Sequence, residues 1–232
     1  MNATREQGGT HAGEARPGEK ANGSGRPGTP SWRLVTTLAI AGALAGLLIV
    51  TVFQWAEPRI LTHQARVIAA AVDEVLHAPA RTTTLYVLDG ALVTEAPAGL
   101  DTLKMERIWA GYDENDRMVG YALMAGEPGF QDVIGIMFGY DPATKRVLGM
   151  RVLESKETPG LGDKIEKDSA WVAMFDGARA PLEPVKPGGS TGNESEVETI
   201  TGATISSRAV IGIINHRIER MRPLLERAGG GQ

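Results

Sequence analysis

Ten residues near the C-terminal end, Glu198-Thr199-Ile200-Thr201-Gly202-Ala203-Thr204-Ile205-Ser206-Ser207, gather five hydroxyl side chains around one glycine. They stand where a Gly/Pro/Ser-rich loop gives way to a helical pattern. The first turn of a helix leaves backbone N–H groups without intrahelical partners and carries the positive end of the dipole. Such a junction can hold a phosphate. A plain helix N-terminus, with Ser206 or Ser207 as its cap, satisfies the same composition.

A second chemically suggestive run is Glu154-Ser155-Lys156-Glu157-Thr158-Pro159-Gly160-Leu161-Gly162-Asp163-Lys164-Ile165-Glu166. Pro159, Gly160 and Gly162 impose a turn, and glycines let a flat ligand approach the backbone with no Cβ in the way. Leu161 between them is an apolar side chain on a loop, which either packs back on the core or covers a ring. An ordinary surface turn fits this run as well.

Several classes of chemistry are excluded by composition. The chain has no cysteine, which removes disulfides, Cys-ligated zinc, iron–sulfur clusters and Cys-attached haem. Its four histidines, His11, His63, His77 and His216, lack metal-ligand spacing, so no metal site is expected. A formal net charge of -4 gives no reason to expect nucleic-acid binding. No proton-transfer triad is visible, so no catalytic residue is assigned.

The elements that must position the two runs follow from periodicity. Leu61, Val67, Ile68, Val72, Val75 and Leu76 recur at three- and four-residue intervals, predicting an amphipathic helix that ends at Ala78-Pro79. Strands are predicted over Thr84–Leu88, Arg107–Tyr112, Met118–Ala125, Val133–Tyr140 and Val147–Glu154, separated by turn residues such as Asp89-Gly90 and Glu127-Pro128-Gly129. Short turns between consecutive strands imply a mostly antiparallel sheet with flanking helices, an α+β fold. After Thr204 a terminal helix is predicted, with Val210, Ile211, Ile213, Ile214, Ile218 and Met221 on its apolar face and Pro223 near its end. The spacer from Ala178 to Val197, rich in Pro, Gly and Ser, reads as a surface insertion.

Ahead of that domain, Leu34 to Phe53 runs twenty residues without a charge, with Trp32 before it and Trp55 after it. That length matches the hydrocarbon core of a bilayer, and the tryptophans match its interfaces. A transmembrane helix is expected over residues 33–56. Residues 1–32, polar and rich in Gly and Pro, are expected to be a disordered tail. Lys20, Arg26 and Arg33 outnumber Arg59 and Arg66, which favours a cytoplasmic tail and an extracytoplasmic domain over residues 57–232.

Thr201-Gly202-Ala203-Thr204 resembles the Ser/Thr-Gly-Ala-Thr signature of covalent FMN-binding domains. ETPGLGDKIE resembles the loop that precedes that signature in the G subunit of the Rnf complex, an ion-translocating ferredoxin:NAD oxidoreductase of the bacterial inner membrane. Val147–Glu154, Gly129-Phe130-Gln131 and Ile205–Val210 are similar to the same family. The resemblance implies that Thr204 carries FMN through a phosphoester, with Thr201, Gly202 and Ala203 forming the turn beneath the phosphate. It also implies that Glu157, Thr158, Leu161 and Gly162 lie against the isoalloxazine ring and that Lys164 places a positive charge near it. Other members of the complex and a flavin transferase are implied as partners. Glu198 departs from the family's usual aspartate three places before the motif. The C subunit of the sodium-translocating NADH:quinone reductase shares the motif and a membrane anchor, and is the second reading. A membrane-anchored binding or regulatory module of the same fold, with no electron transfer, is the third.

Overall fold

The computed structural model describes residues 31–96 and 105–229. The chain divides into two compact units, Met1–Ala56 and Glu57–Gln232. In the first unit every described residue belongs to the opening part of α1, whose full extent is Ser31–Val75. Ser31 and Trp32 are therefore helical, and the rest of the expected tail lies outside the described residues. Ser31–Ala56 is long and apolar enough to cross a membrane. Leu38, Leu44, Leu47, Leu48 and Ile49 are all exposed on it, an apolar surface suited to lipid. Its three threonine hydroxyls bond within the helix: those of Thr36 and Thr37 donate to Arg33 O, and that of Thr51 donates to Leu47 O. This segment is the chain's candidate membrane anchor.

In the second unit six antiparallel strands form one sheet: β1 (Arg81–Leu88), β2 (Ala91–Val93), β3 (Arg107–Tyr112), β4 (Met118–Pro128), β5 (Val133–Asp141) and β6 (Arg146–Glu154). Their spatial order is β2-β1-β3-β4-β5-β6, so after the opening hairpin each strand pairs with its successor. The predicted strands are all present. β2 was not predicted, although Asp89-Gly90, with φ of 47° and 76°, makes the two-residue turn that joins it to β1.

Period-two alternation gives the sheet two apolar faces. Ile134, Ile136, Phe138 and Tyr140 of β5 face a core completed by α2 (Lys164–Lys167), α3 (Ser169–Ala173) and α4 (Thr204–Gly229). Met137 joins Trp109 and Ala122 on the other face, where Ala71, Val72, Val75 and Leu76 from the end of α1 pack. That end sits on a bed of small residues. A Cβ on Gly139 would collide with the Val75 carbonyl oxygen, and one on Gly111 would lie 2.8 Å from Leu76 Cδ1.

The spacer is not a simple surface insertion. Ala178, Ala180, Leu182 and Val197 are buried in the main core, and β7 (Glu183–Val185) pairs in parallel with β8 (Glu196–Glu198). Only the stretch 186–194 is exposed throughout. Single apolar residues spaced among prolines and glycines anchor it, a pattern without periodicity to read. The helix α4 runs past Pro223 to Gly229, a longer course than its sequence suggests.

Candidate functional site

The hydroxyl-rich run forms β8, a turn and the start of α4. Gly202 has φ of 85°, a left-handed conformation that glycine adopts without penalty. The turn is braced from several sides. Thr199 N–H donates to Val185 O at 2.8 Å, Trp171 Nε1 donates to Glu198 O at 2.7 Å, and Lys164 Nζ donates to Thr201 O at 3.3 Å. Ala203 N–H closes the turn on Ile200 O at 3.0 Å, and Ser207 N–H makes the first bond of the helical ladder, to Ala203 O. The N–H groups of Thr204, Ile205 and Ser206 lie ahead of that bond, in the turn where no intrahelical acceptor exists.

Burial sorts the five hydroxyls. Thr199 is buried, its Oγ1 donating to Val185 O at 3.1 Å. Ser206 is buried, its Oγ donating to Glu157 Oε2 at 2.7 Å. Ser207 is buried too, donating to Ala203 O at 2.9 Å and accepting from the Ile200 N–H at 3.2 Å. Neither serine is used as a helix cap. Thr201 and Thr204 are exposed, and the Thr204 hydroxyl makes only a long 3.4 Å contact with Ile200 O.

Thr204 opens onto a cavity of about 340 Å³ lined by Phe130, Thr158, Leu161, Gly162, Gly202, Ala203, Ile205 and Ser206. Its rim is apolar and solvent-facing: Phe130 is 63% exposed, Leu161 50% and Ile205 58%. Three large apolar side chains left in water around one cavity suit a flat, apolar ligand body. The Thr158 hydroxyl lies on the same wall and donates to Gln131 Oε1 at 2.9 Å. A larger cavity of about 550 Å³ lies elsewhere, between Tyr140, Lys145, Arg222 and Glu226. It mixes both signs of charge and shares no residue with the hydroxyl turn.

The cavity thus brings together Thr158, Leu161, Gly162, Gly202, Ala203 and Thr204 of the expected residues. Three others are elsewhere. Thr201 and Lys164 line a separate cavity of about 370 Å³ with Asp168, Trp171 and Glu198, while Lys164 Nζ would lie 3.8 Å from a Cβ on Gly202. Glu157 lines neither: it is buried at 5% exposure, accepting from the N–H groups of Phe130 and Gln131 at 2.9 and 3.0 Å and from Ser206. Burial pushes this carboxyl up, but the Gln131 N–H, the Ser206 hydroxyl and the Phe130 N–H together outweigh burial and hold it below the ordinary glutamate value.

Gly162 lines the cavity and also has a packing role behind it. A Cβ there would meet Glu157 Oε2 at 2.6 Å and Ser206 Oγ at 3.0 Å, so the glycine makes room for the buried carboxylate. Phe130 and Ile205 were not anticipated as cavity walls. An aromatic residue directly after Pro128-Gly129, in a turn that needs no apolar side chain, was the available signal.

Residues 129–219 match the FMN-binding domain family, a span that contains every wall of the Thr204 cavity. The crystal structure of Shewanella oneidensis NqrC shares the fold, with a TM-score of 0.56 at 16% identity over 66% of this chain and 91% of that one. The G subunit of the ion-translocating oxidoreductase complex of Pectobacterium atrosepticum is 34% identical over 185 residues, covering 78% of this chain and 86% of that protein. The protein of the same name from Methanosarcina acetivorans is 26% identical over 187 residues, covering 81% and 92%. The chain belongs to this family, the G subunits of ion-translocating oxidoreductase complexes.

Proposed function

We propose that this chain is the FMN-carrying subunit of an Rnf-type ion-translocating oxidoreductase, with its flavin held covalently through a phosphoester to Thr204. The observation that carries the reading is the sorting of hydroxyls: Thr204 is exposed at the cavity and held only by a 3.4 Å contact, whereas Ser206 and Ser207 are buried and bonded. The residues present fit the cofactor. Thr204 Oγ1 offers an ester linkage, and the first-turn N–H groups of α4 offer donors to a phosphate. Phe130, Leu161 and Ile205 offer apolar surface to a ring. Lys164 holds the turn through Thr201 O and adds positive charge beside Gly202.

Bound FMN would supply the electron transfer between the ferredoxin and NAD sides of the complex, and the protein would supply position, apolar cover and charge. The ester uses the phosphate end, so it retains the cofactor without modifying its redox-active ring. A flavin transferase makes the bond, and the other members of the complex deliver and remove electrons. The helix over residues 33–56 holds the protein in the bacterial inner membrane, with residues 1–32 cytoplasmic and the domain over 57–232 extracytoplasmic.

The test is in-gel flavin fluorescence of the denatured full-length chain, co-expressed and exported with an active flavin transferase. Wild type is expected to fluoresce and Thr204→Val to be dark. A dark wild type beside a fluorescent control substrate would overturn the reading.

A further inference from the structure

Glu157 is buried behind the residues that line the cavity, and it joins three segments far apart in sequence. Its Oε1 accepts the N–H groups of Phe130 and Gln131, in the turn between β4 and β5, and its Oε2 accepts the Ser206 hydroxyl, in the first turn of α4. Glu157 itself belongs to the loop that carries Thr158, Leu161 and Gly162. Each wall of the cavity is therefore tied to one carboxylate. Two glycines leave space for it: a Cβ on Gly129 would sit 2.5 Å from Oε1, and one on Gly162 2.6 Å from Oε2.

We infer that Glu157 is a positioning residue for flavin attachment, which sets the Thr204 hydroxyl against the Phe130 and Leu161 walls through its bonds to the β4–β5 turn and to Ser206. The inference rests on the flavin reading of this cavity. A loop carboxylate is ordinarily solvated, and one that is buried persists only where donors replace water. Here the donors come from the elements that hold Phe130 and Thr204. Removing the carboxylate frees both ends at once: two amides lose their acceptor, and α4 loses its tie to the loop. Glutamine keeps most of the arrangement, since its carbonyl oxygen can accept both amides and its NH₂ can donate to Ser206 Oγ. Alanine keeps none of it.

The experiment compares wild type, Glu157→Ala, Glu157→Gln and Ser206→Ala, each as the full chain co-expressed with a flavin transferase. Flavin per folded polypeptide is read by in-gel fluorescence, and mobility of the attached flavin by iodide quenching before denaturation. Loading is expected to fall about tenfold in Glu157→Ala, because misplacing a reacting group by a fraction of an ångström to an ångström costs one to two orders of magnitude. Glu157→Gln is expected to recover at least about half of the wild-type loading, as its acceptor geometry survives. Ser206→Ala, which removes one hydroxyl and is expected to fold, should load several-fold less than wild type and show increased quenching. Wild-type loading and quenching in both Glu157→Ala and Ser206→Ala would overturn the inference, as would a glutamine variant no better than alanine. A wild type without flavin would instead strike the reading of the site itself.

Discussion

The two exposed threonines and the three buried hydroxyls of residues 199–207 differ in what surrounds them, not in chemistry. Thr199, Ser206 and Ser207 each satisfy a buried partner and hold the turn in shape. Thr201 and Thr204 are exposed, and they line different cavities: Thr201 with Lys164 and Glu198, Thr204 with Phe130 and Leu161. A hydroxyl can accept a modification only if the protein does not already require it for packing. By that criterion a single position at the apolar cavity qualifies within the run.

The sharpest way to break this comparison is Thr204→Val, expected to abolish covalent flavin entirely while thermal unfolding stays within about 0.5 kcal/mol of wild type, as for other exposed sites. Loss of stability with retained flavin would invert the assignment. Ser207→Ala is the complementary case. It leaves the buried Ile200 N–H without its acceptor and is expected to cost about 1–3 kcal/mol in denaturant unfolding.

Gly162→Ala should be similarly harmful, at about 1–3 kcal/mol, because its Cβ would press on Glu157 and Ser206. Gly160→Ala separates that effect from backbone strain: at φ of 77° with open space around it, about 1 kcal/mol is expected. Equal costs in the two variants would argue against crowding by the carboxylate.

A pH series sharpens the comparison from the other side. The carboxyl of Glu157 is held below its ordinary value of 4.5, so its contribution to stability is complete above that value and is lost as pH falls through the lower folded value. Melts between pH 3 and 7 should show an acid limb that is shallower in Glu157→Gln, whose side chain does not titrate. The smallest effect is expected for Thr201→Val. Exposed and outside the apolar cavity, it should keep stability within about 0.5 kcal/mol and keep flavin loading.

The antiparallel sheet was legible because its strands are long and its turns carry Gly, Pro and Asp at the required places. β7 and β8 were not, since three-residue strands pairing in parallel across the stretch 186–195 leave no local period. The phosphate-type turn was legible because its chemistry is contiguous in the chain. The wall opposite it was hidden by distance: Phe130 reaches the cavity from a hairpin turn more than seventy residues before Thr204. The surroundings of Glu157 were hidden for a related reason. Its sequence neighbours place it on a loop, and only the folded chain brings the donors at 130, 131 and 206 around it.

The small-residue bed under the end of α1 has a mechanical consequence. Where helices meet sheets through large side chains, rotamer changes let one slide over the other. At Gly139 the Val75 carbonyl oxygen meets β5 with no side chain between them, so the helix end is seated on backbone at this point while Trp109 and Met137 pack around it. A side chain larger than glycine at position 139 would have to lift the helix end off the strand.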